Sequence, residues 1–155
     1  MKHPNNKATL LFLRRDNQIL LAMKKRGFGE GRWNGVGGKV GLGERVEQAA
    51  VRECQEEILV RPIEYKQVAD IDFIFPHNSG WDVHASVYIC TQWQGEPTET
   101  EEMRPQWYDL QNIPYDEMWV DDKLWLPLVI KGLYVKASFS FDSNDNIIKQ
   151  EIVAA

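Results

Sequence analysis

The chain has 155 residues, 43% of them hydrophobic, and a formal net charge of −5. That length suits one domain with its own core, expected over residues 1–155, and is too short to divide into two. Charges of both signs are scattered along it, which argues against a surface built to track DNA or RNA. A small phosphorylated ligand stays open, because local cations or a bound metal outweigh net charge.

Residues 1–18 hold a short apolar stretch without the long core and small-residue cleavage site of a signal peptide, and no segment reaches membrane-spanning length. Ala8 to Arg14 and Gln18 to Met23 are apolar-rich runs broken by Arg15-Asp16-Asn17, which predicts a hairpin. The glycine-rich KKRGFGEGRWNGVGGKVGLGE that follows rules out a regular helix and suits a long loop. From Arg45 to about Ile58, Val46, Ala49, Ala50 and Cys54 recur at helical spacing among good helix formers, which predicts a helix ended by Arg61-Pro62.

Segments near Glu64 to Phe75, Asp82 to Trp93 and Arg104 to Asp109 are expected as strands. Tyr115 to Leu133 has helical spacing, with Pro127 expected to limit or start its helical part. Ala137 to Phe141 and Ile147 to Val153 flank a polar turn and predict a closing hairpin. That turn, Asp142 to Asn146, lacks the glycine and terminal glutamate of a calcium loop. Cys54 and Cys90 form neither a disulfide framework nor a zinc pattern, so buried reduced thiols in a cytoplasmic protein are expected. His3, His77 and His84 show no ligand spacing and read as ordinary histidines.

The informative stretch is GKVGLGERVEQAAVRECQEEILV, Gly38 to Val60. On a helix, Glu53, Glu56 and Glu57 converge on one side, and such like charges destabilise a bare helix by a few tenths of a kcal/mol per pair, roughly. A cation relieves that repulsion, and Mg²⁺ suits an open carboxylate cluster that shares its ion with substrate phosphates. Arg52, four residues before Glu56, is placed to orient a carboxylate. Taken without context, an acidic helix is more simply a solvated face with ordinary Arg–Glu pairs.

The preceding glycine loop changes that weighing. Gly38, Glu44, Arg52, Glu53, Glu56 and Glu57 stand at the spacing of the Nudix box, and the segment resembles that family. At residue frequencies near ~6%, six fixed positions coincide by chance on the order of 10⁻⁷ per start site. Two positions depart: Leu59 replaces the usual glycine, so the helix exit is expected to differ or carry strain, and Cys54 takes an aliphatic position. The resemblance implies an α/β (α+β) fold, an α/β/α sandwich with a mixed sheet between helices, and attack of a metal-activated water on a diphosphate linkage. It also implies a divalent ion, Mg²⁺ with Mn²⁺ as the alternative. Glu53, Glu56 and Glu57 would hold the ion, with Gly38 beside them and Glu102 as a fourth carboxylate from a distant loop. One of the glutamates would act as base, with Arg52 in support. Without the resemblance, Glu102 is more simply part of a solvated acidic turn.

KKRGFGEGRWNGVGGKV, DVH, EEMRP and the segment Met118 to Asp122 extend the likeness to the branch that hydrolyses oxidised purine nucleoside triphosphates, from about Leu10 to Leu128. The base-binding residues it implies are Lys24, Phe28, Asn34, Phe73, Trp119, Asp121 and Asp122. Asn donates and accepts, aromatic faces stack on purines, and two buried adjacent carboxylates resist joint ionisation, so that one donates while the other accepts. Asp121 and Asp122 equally suit a helix N-terminus. The other tryptophans, Trp81 among them, read as core or cleft wall, and the loop Pro76 to Gly80 differs from that branch, so the substrate range is expected to differ. A monomer acting on a small nucleotide is expected. The rival readings are a Nudix hydrolase of dinucleoside polyphosphates or ADP-ribose, and a non-catalytic nucleotide-binding module.

Overall fold

Asp16 takes a left-handed backbone, φ 53°, and folds β1 (Lys7–Arg15) back as β2 (Gln18–Lys24). This is the hairpin expected from the polar break, seen in a computed structural model that describes residues 3–155. The two strands pair only beside the turn, Arg14 opposite Ile19 and Arg15 opposite Gln18. On its other side β2 pairs along its whole length with β6 (Met103–Asp109), and the glycine-rich chain fills the gap beside β1. Leu11 and Val36 exchange both backbone hydrogen bonds, at 2.7 and 2.9 Å. Gly37 makes the close approach possible, since a Cβ there would lie 1.8 Å from the Thr9 carbonyl oxygen. The expected loop is thus strapped to the sheet, and within it Trp33–Asn34 forms the short β3 against β2.

With β4 (Arg61–Ile74), β5 (Val83–Gln94), β7 (Val135–Phe141) and β8 (Ile147–Ala154), the strands form one mixed sheet. Its order is β3-β2-β1-β5-β4-β7-β8, with β6 on β2; β1–β5 and β4–β7 are parallel, the other pairs antiparallel. Both faces are covered. Helix α1 (Val46–Ile58) buries Ala50, Cys54 and Ile58 against Leu11, Leu13 and Tyr88. Helix α2 (Asp122–Ile130) buries Trp125, Leu126 and Val129 against Phe12, Val135 and Phe139 on the other side. Full burial of side chains such as Ile58 contributes about 1.5–3 kcal/mol each, which fixes α1 on the sheet and with it the direction of its carboxylates. No helix among the described residues is long and apolar enough to cross a membrane.

Arg45 is the N-cap of α1, its N–H donating to Gln48 Oε1 at 2.9 Å. The helix ends at Leu59, which adopts the left-handed conformation, φ 61° and ψ 33°, that glycine would take without strain. Cys54 and Cys90 are buried free thiols, and burial pushes the Cys54 thiol up to about 12. The second helix is shorter than its apolar spacing predicts, because Tyr115–Glu117 forms a separate 3₁₀ turn. Pro127 neither limits nor starts α2 but lies inside it. Proline there removes one backbone hydrogen bond, a loss offset by burial of Trp125, Leu126 and Val129 on either side.

Candidate active site

The box loop and α1 meet at Gly37 and Gly38. A Cβ on Gly38 would sit 2.6 Å from the Glu53 carboxyl carbon, so the glycine leaves the room in which that carboxylate lies. The Gly38 carbonyl already accepts from Thr9 N–H at 2.9 Å. Gly37 N–H donates to Glu57 Oε1 at 2.9 Å. Glu57 is only 6% exposed, and burial pushes its carboxyl up to about 7. The Gly37 hydrogen bond opposes that rise, while the Glu53 charge adds to it.

Arg52 sits behind this cluster rather than in it. Its Nε and Nη2 donate to the two oxygens of Glu44 at 2.8 and 3.0 Å, and its Nη1 reaches Glu53 at 2.9 Å and Glu56 at 3.3 Å. The Arg52 hydrogen bond and the Gly41 N–H hold Glu44 down at about 2, so it stays ionised and keeps the guanidinium in place. Arg52 therefore acts through Glu53 and Glu56 as a positioning residue. Glu44 matched the box pattern, but its task of gripping Arg52 across the loop became visible only with the fold.

Glu53, Glu56 and Glu57 open onto a cleft of about 670 Å³. Glu102 reaches the same cleft from the chain before β6, paired with Arg26 through contacts of 3.1 and 2.5 Å, and this partner holds its carboxyl below the usual range. Lys24, Phe28, Asn34, Phe73, Trp119, Asp121 and Asp122, far apart in sequence, all line that cleft.

Asp121 and Asp122 stand at the start of a helix and also line the cleft. Their backbones form the start of α2, yet Asp121 makes no side-chain capping bond. Its Oδ2 accepts from the Trp125 indole at 2.8 Å. Both carboxyls are buried, at 1% and 2% exposure. Burial raises both, and the Asp121 charge raises Asp122 further. Burial and the neighbouring Asp121 charge thus favour the protonated form of Asp122.

Three buried side-chain polar atoms among the described residues lack a partner: Thr9 Oγ1, Asp121 Oδ1 and Asp122 Oδ2. All three residues line this cleft. Sequence reasoning missed Thr9, which carries no motif. It also missed Arg32, whose guanidinium lies 4.1 Å from the Trp119 ring centre and pairs with Asp145 at 2.8 Å. Phe75, Trp81 and Phe141 complete the aromatic wall, with Phe28 5.0 Å from Trp81 and 5.2 Å from Trp119. Sequence reasoning places Trp81 in the core or cleft wall and singles out neither Phe75 nor Phe141.

Comparison with known proteins places this architecture. Residues 4–129 match the NUDIX domain family. The chain is 41% identical over 145 residues to proteins named oxidized purine nucleoside triphosphate hydrolase from Danio rerio and Mus musculus, in each case covering 93% of this chain and 92% of the relative. The crystal structure of a MutT protein from Bacillus halodurans superposes with a TM-score of 0.82 over 95% of this chain and 97% of its own, at 16% identity, a likeness of fold. With three of the box glutamates gathered on α1 beneath a glycine loop, and with matches across most of its length, the chain belongs to the Nudix hydrolase family.

Proposed function

We propose that this Nudix hydrolase cleaves oxidised purine nucleoside triphosphates, such as 8-oxo-dGTP and 2-hydroxy-dATP, to the monophosphate and pyrophosphate, and so clears damaged nucleotides. The observation that carries this reading is the gathering of three partnerless buried polar atoms in the cleft that also holds the α1 carboxylates. Each such atom costs about 1–3 kcal/mol. A ligand rich in donors and acceptors recovers that cost, and a flat one stacks on the aromatic wall to which Phe28 and Trp119 belong. Asp122 donates and Asp121 Oδ1 accepts, which suits the altered edge of an oxidised purine. Asn34 Oδ1 is held by Gly35 N–H at 2.8 Å, which leaves its amide NH₂ to donate. The names of the Danio rerio and Mus musculus relatives support the same substrate class.

The other end of the cleft suits the phosphates. Glu53, Glu56, Glu57 and Glu102 form an oxygen-only donor set open to the cleft, fitting Mg²⁺, with Mn²⁺ as the alternative. When bound, the cation supplies charge neutralisation on the phosphates and Lewis acidity toward water. The chain's part is to hold these oxygens in register: Arg52 fixes Glu53 and Glu56, Gly37 fixes Glu57, and Arg26 fixes Glu102. We assign the role of base to Glu57, which the Gly37 N–H holds at the cleft and whose burial favours taking up a proton.

The test is turnover of a panel: oxidised and unmodified purine triphosphates, dinucleoside polyphosphates and ADP-ribose, each with Mg²⁺, with products separated by chromatography. Monophosphate and pyrophosphate released fastest from the oxidised purines is the expected result. Equal rates across purines, or faster cleavage of ADP-ribose or dinucleoside polyphosphates, would overturn the substrate assignment.

A further inference from the structure

The sheet has a second cluster of titratable side chains, facing away from the cleft. On β4 and β5, Phe73, Val83 and Ala85 line the cleft, so the residues alternating with them, Asp70, Asp72 and His84, project from the opposite face. Asp72 and His84 are direct cross-strand partners. His3, remote in sequence, completes the group. Its Nδ1 lies 2.7 Å from Asp72 Oδ2, while His84 Nδ1 lies 2.6 Å from Asp72 Oδ1, and the two imidazole centres are 4.4 Å apart. One ligand atom from each of the three residues falls within 4.8 Å of the others. Spacing along the chain gave no sign of this, because the sheet register rather than a local motif brings His3 and His84 together.

We propose that His3, Asp72 and His84 form a binding site for a zinc-class divalent cation, separate from the hydrolytic cluster, with water as the fourth ligand. The donor chemistry argues for this class: two imidazoles and one carboxylate suit Zn²⁺ and its neighbours, whereas the oxygen-only cluster on α1 suits Mg²⁺. Tetrahedral zinc, with bonds of about 2.0–2.2 Å, needs ligand atoms roughly 3.3 Å apart. Reaching that spacing asks the short contacts to Asp72 to lengthen and the wider separations in the group, up to 4.8 Å, to close, a rearrangement His3, 62% exposed, is free to make.

The surroundings are built for the same purpose. The second ring nitrogen of His84, Nε2, lies 3.3 Å from Asp70 Oδ1. Asp70 is itself anchored by Tyr134 OH at 2.5 Å and Gln67 Nε2 at 2.8 Å. A carboxylate on the far nitrogen of a ligating histidine fixes the ring's orientation and raises its basicity. His84 N–H also donates to the Asn6 carbonyl at 2.8 Å, so residues 3 to 6 already run beside the start of β5. A cation here ties that segment to strands whose other face forms the wall of the cleft.

Titration of the whole protein with Co²⁺ in excess Mg²⁺ tests this, because Mg²⁺ holds the oxygen donors of α1 and does not compete for imidazole. Expected are the intense visible bands of tetrahedral Co²⁺, saturating at one equivalent and displaced by Zn²⁺. In His3→Ala, exposed enough to fold normally, the bands are lost and Zn²⁺ affinity falls at least tenfold, while Mg²⁺-supported nucleotide turnover stays at the parent level. Asp70→Asn keeps the bands and weakens binding roughly tenfold. No tetrahedral bands, or bands that survive His3→Ala, would show that the cluster is only a hydrogen-bonded network.

Discussion

The two ends of the cleft are assembled in opposite ways. The phosphate end comes mainly from one continuous stretch, Gly37 to Glu57, where helix geometry sets the spacing of Glu53, Glu56 and Glu57. The base end is gathered from the glycine loop, β4, the turn before β5, the start of α2 and β7. The first end is polar and organised by charge, with Arg52 linking Glu44, Glu53 and Glu56. The second is aromatic and holds two buried carboxyls. Chemistry and selectivity are therefore expected to separate under mutation.

The largest expected effect tests that separation from the phosphate end. Glu57→Gln is expected to lower kcat about 10²- to 10⁴-fold, the range for loss of a general base, and to leave the ratio of rates between oxidised and unmodified purines unchanged. Steady-state kinetics on both substrates checks this, and a changed ratio would break the division between the ends. The same variant has a second signature in metal-free protein. The folded-state value of Glu57 is raised from 4.5 to about 7, so parent stability falls as pH rises through that window, where the unfolded chain ionises first. Gln removes the penalty. In chelator, the variant's stability advantage should grow from near zero at about pH 4 to as much as ~3 kcal/mol at about pH 8, read from urea midpoints.

At the base end the expected effect is smaller and selective. Asp122→Ala removes the donor and should lower kcat/KM for oxidised purines about 10- to 10²-fold, the cost of one buried hydrogen bond, with less loss on unmodified purines. Asp122→Asn keeps a neutral donor and most of the activity. Because burial raises Asp122 and the donor is its protonated form, parent kcat/KM should decline as pH climbs through that raised value, and the Asn variant should lack this decline. Unchanged relative rates across purines in both variants would remove Asp122 from base recognition.

The same contrast explains what the sequence disclosed. Glu53, Glu56 and Glu57 were legible because a helix converts spacing into direction, and the apolar positions Val46, Ala49, Ala50 and Cys54 marked the helix. Asn34 and the Asp pair were singled out only through the resemblance to a family branch, since residues gathered by sheet topology leave no periodic trace. Thr9, Arg32 and Glu44's grip on Arg52 depend on how the glycine loop lies against β1 and α1, a long-range packing choice. Pro127 inside α2 misled for a related reason, because tertiary burial overrode a local preference. Of the fold, α1 and the longer strands followed from spacing, whereas β3, the bounds of α2, the β2–β6 pairing and the parallel β1–β5 and β4–β7 pairs did not.

The smallest expected effect lies where the box pattern itself breaks. Leu59 holds a left-handed backbone at the end of α1, two residues after Glu57, with its N–H bonded to the Gln55 carbonyl at 3.1 Å and its side chain 56% exposed. An L-residue in that conformation costs roughly 1–2 kcal/mol, and an exposed leucine recovers little by packing. Glycine avoids the strain but leaves a freer unfolded chain, a loss of about 0.4–1 kcal/mol. Leu59→Gly should therefore stabilise the protein by about 0.5–1 kcal/mol, seen as a higher urea midpoint at unchanged slope. Turnover should stay within twofold, because Glu57 is fixed by Gly37 and Ile58 by the core, and neither contact passes through the Leu59 side chain. A larger change in turnover would mean that strain at the helix end helps to aim the carboxylates, which would make the exit of α1 part of the phosphate end.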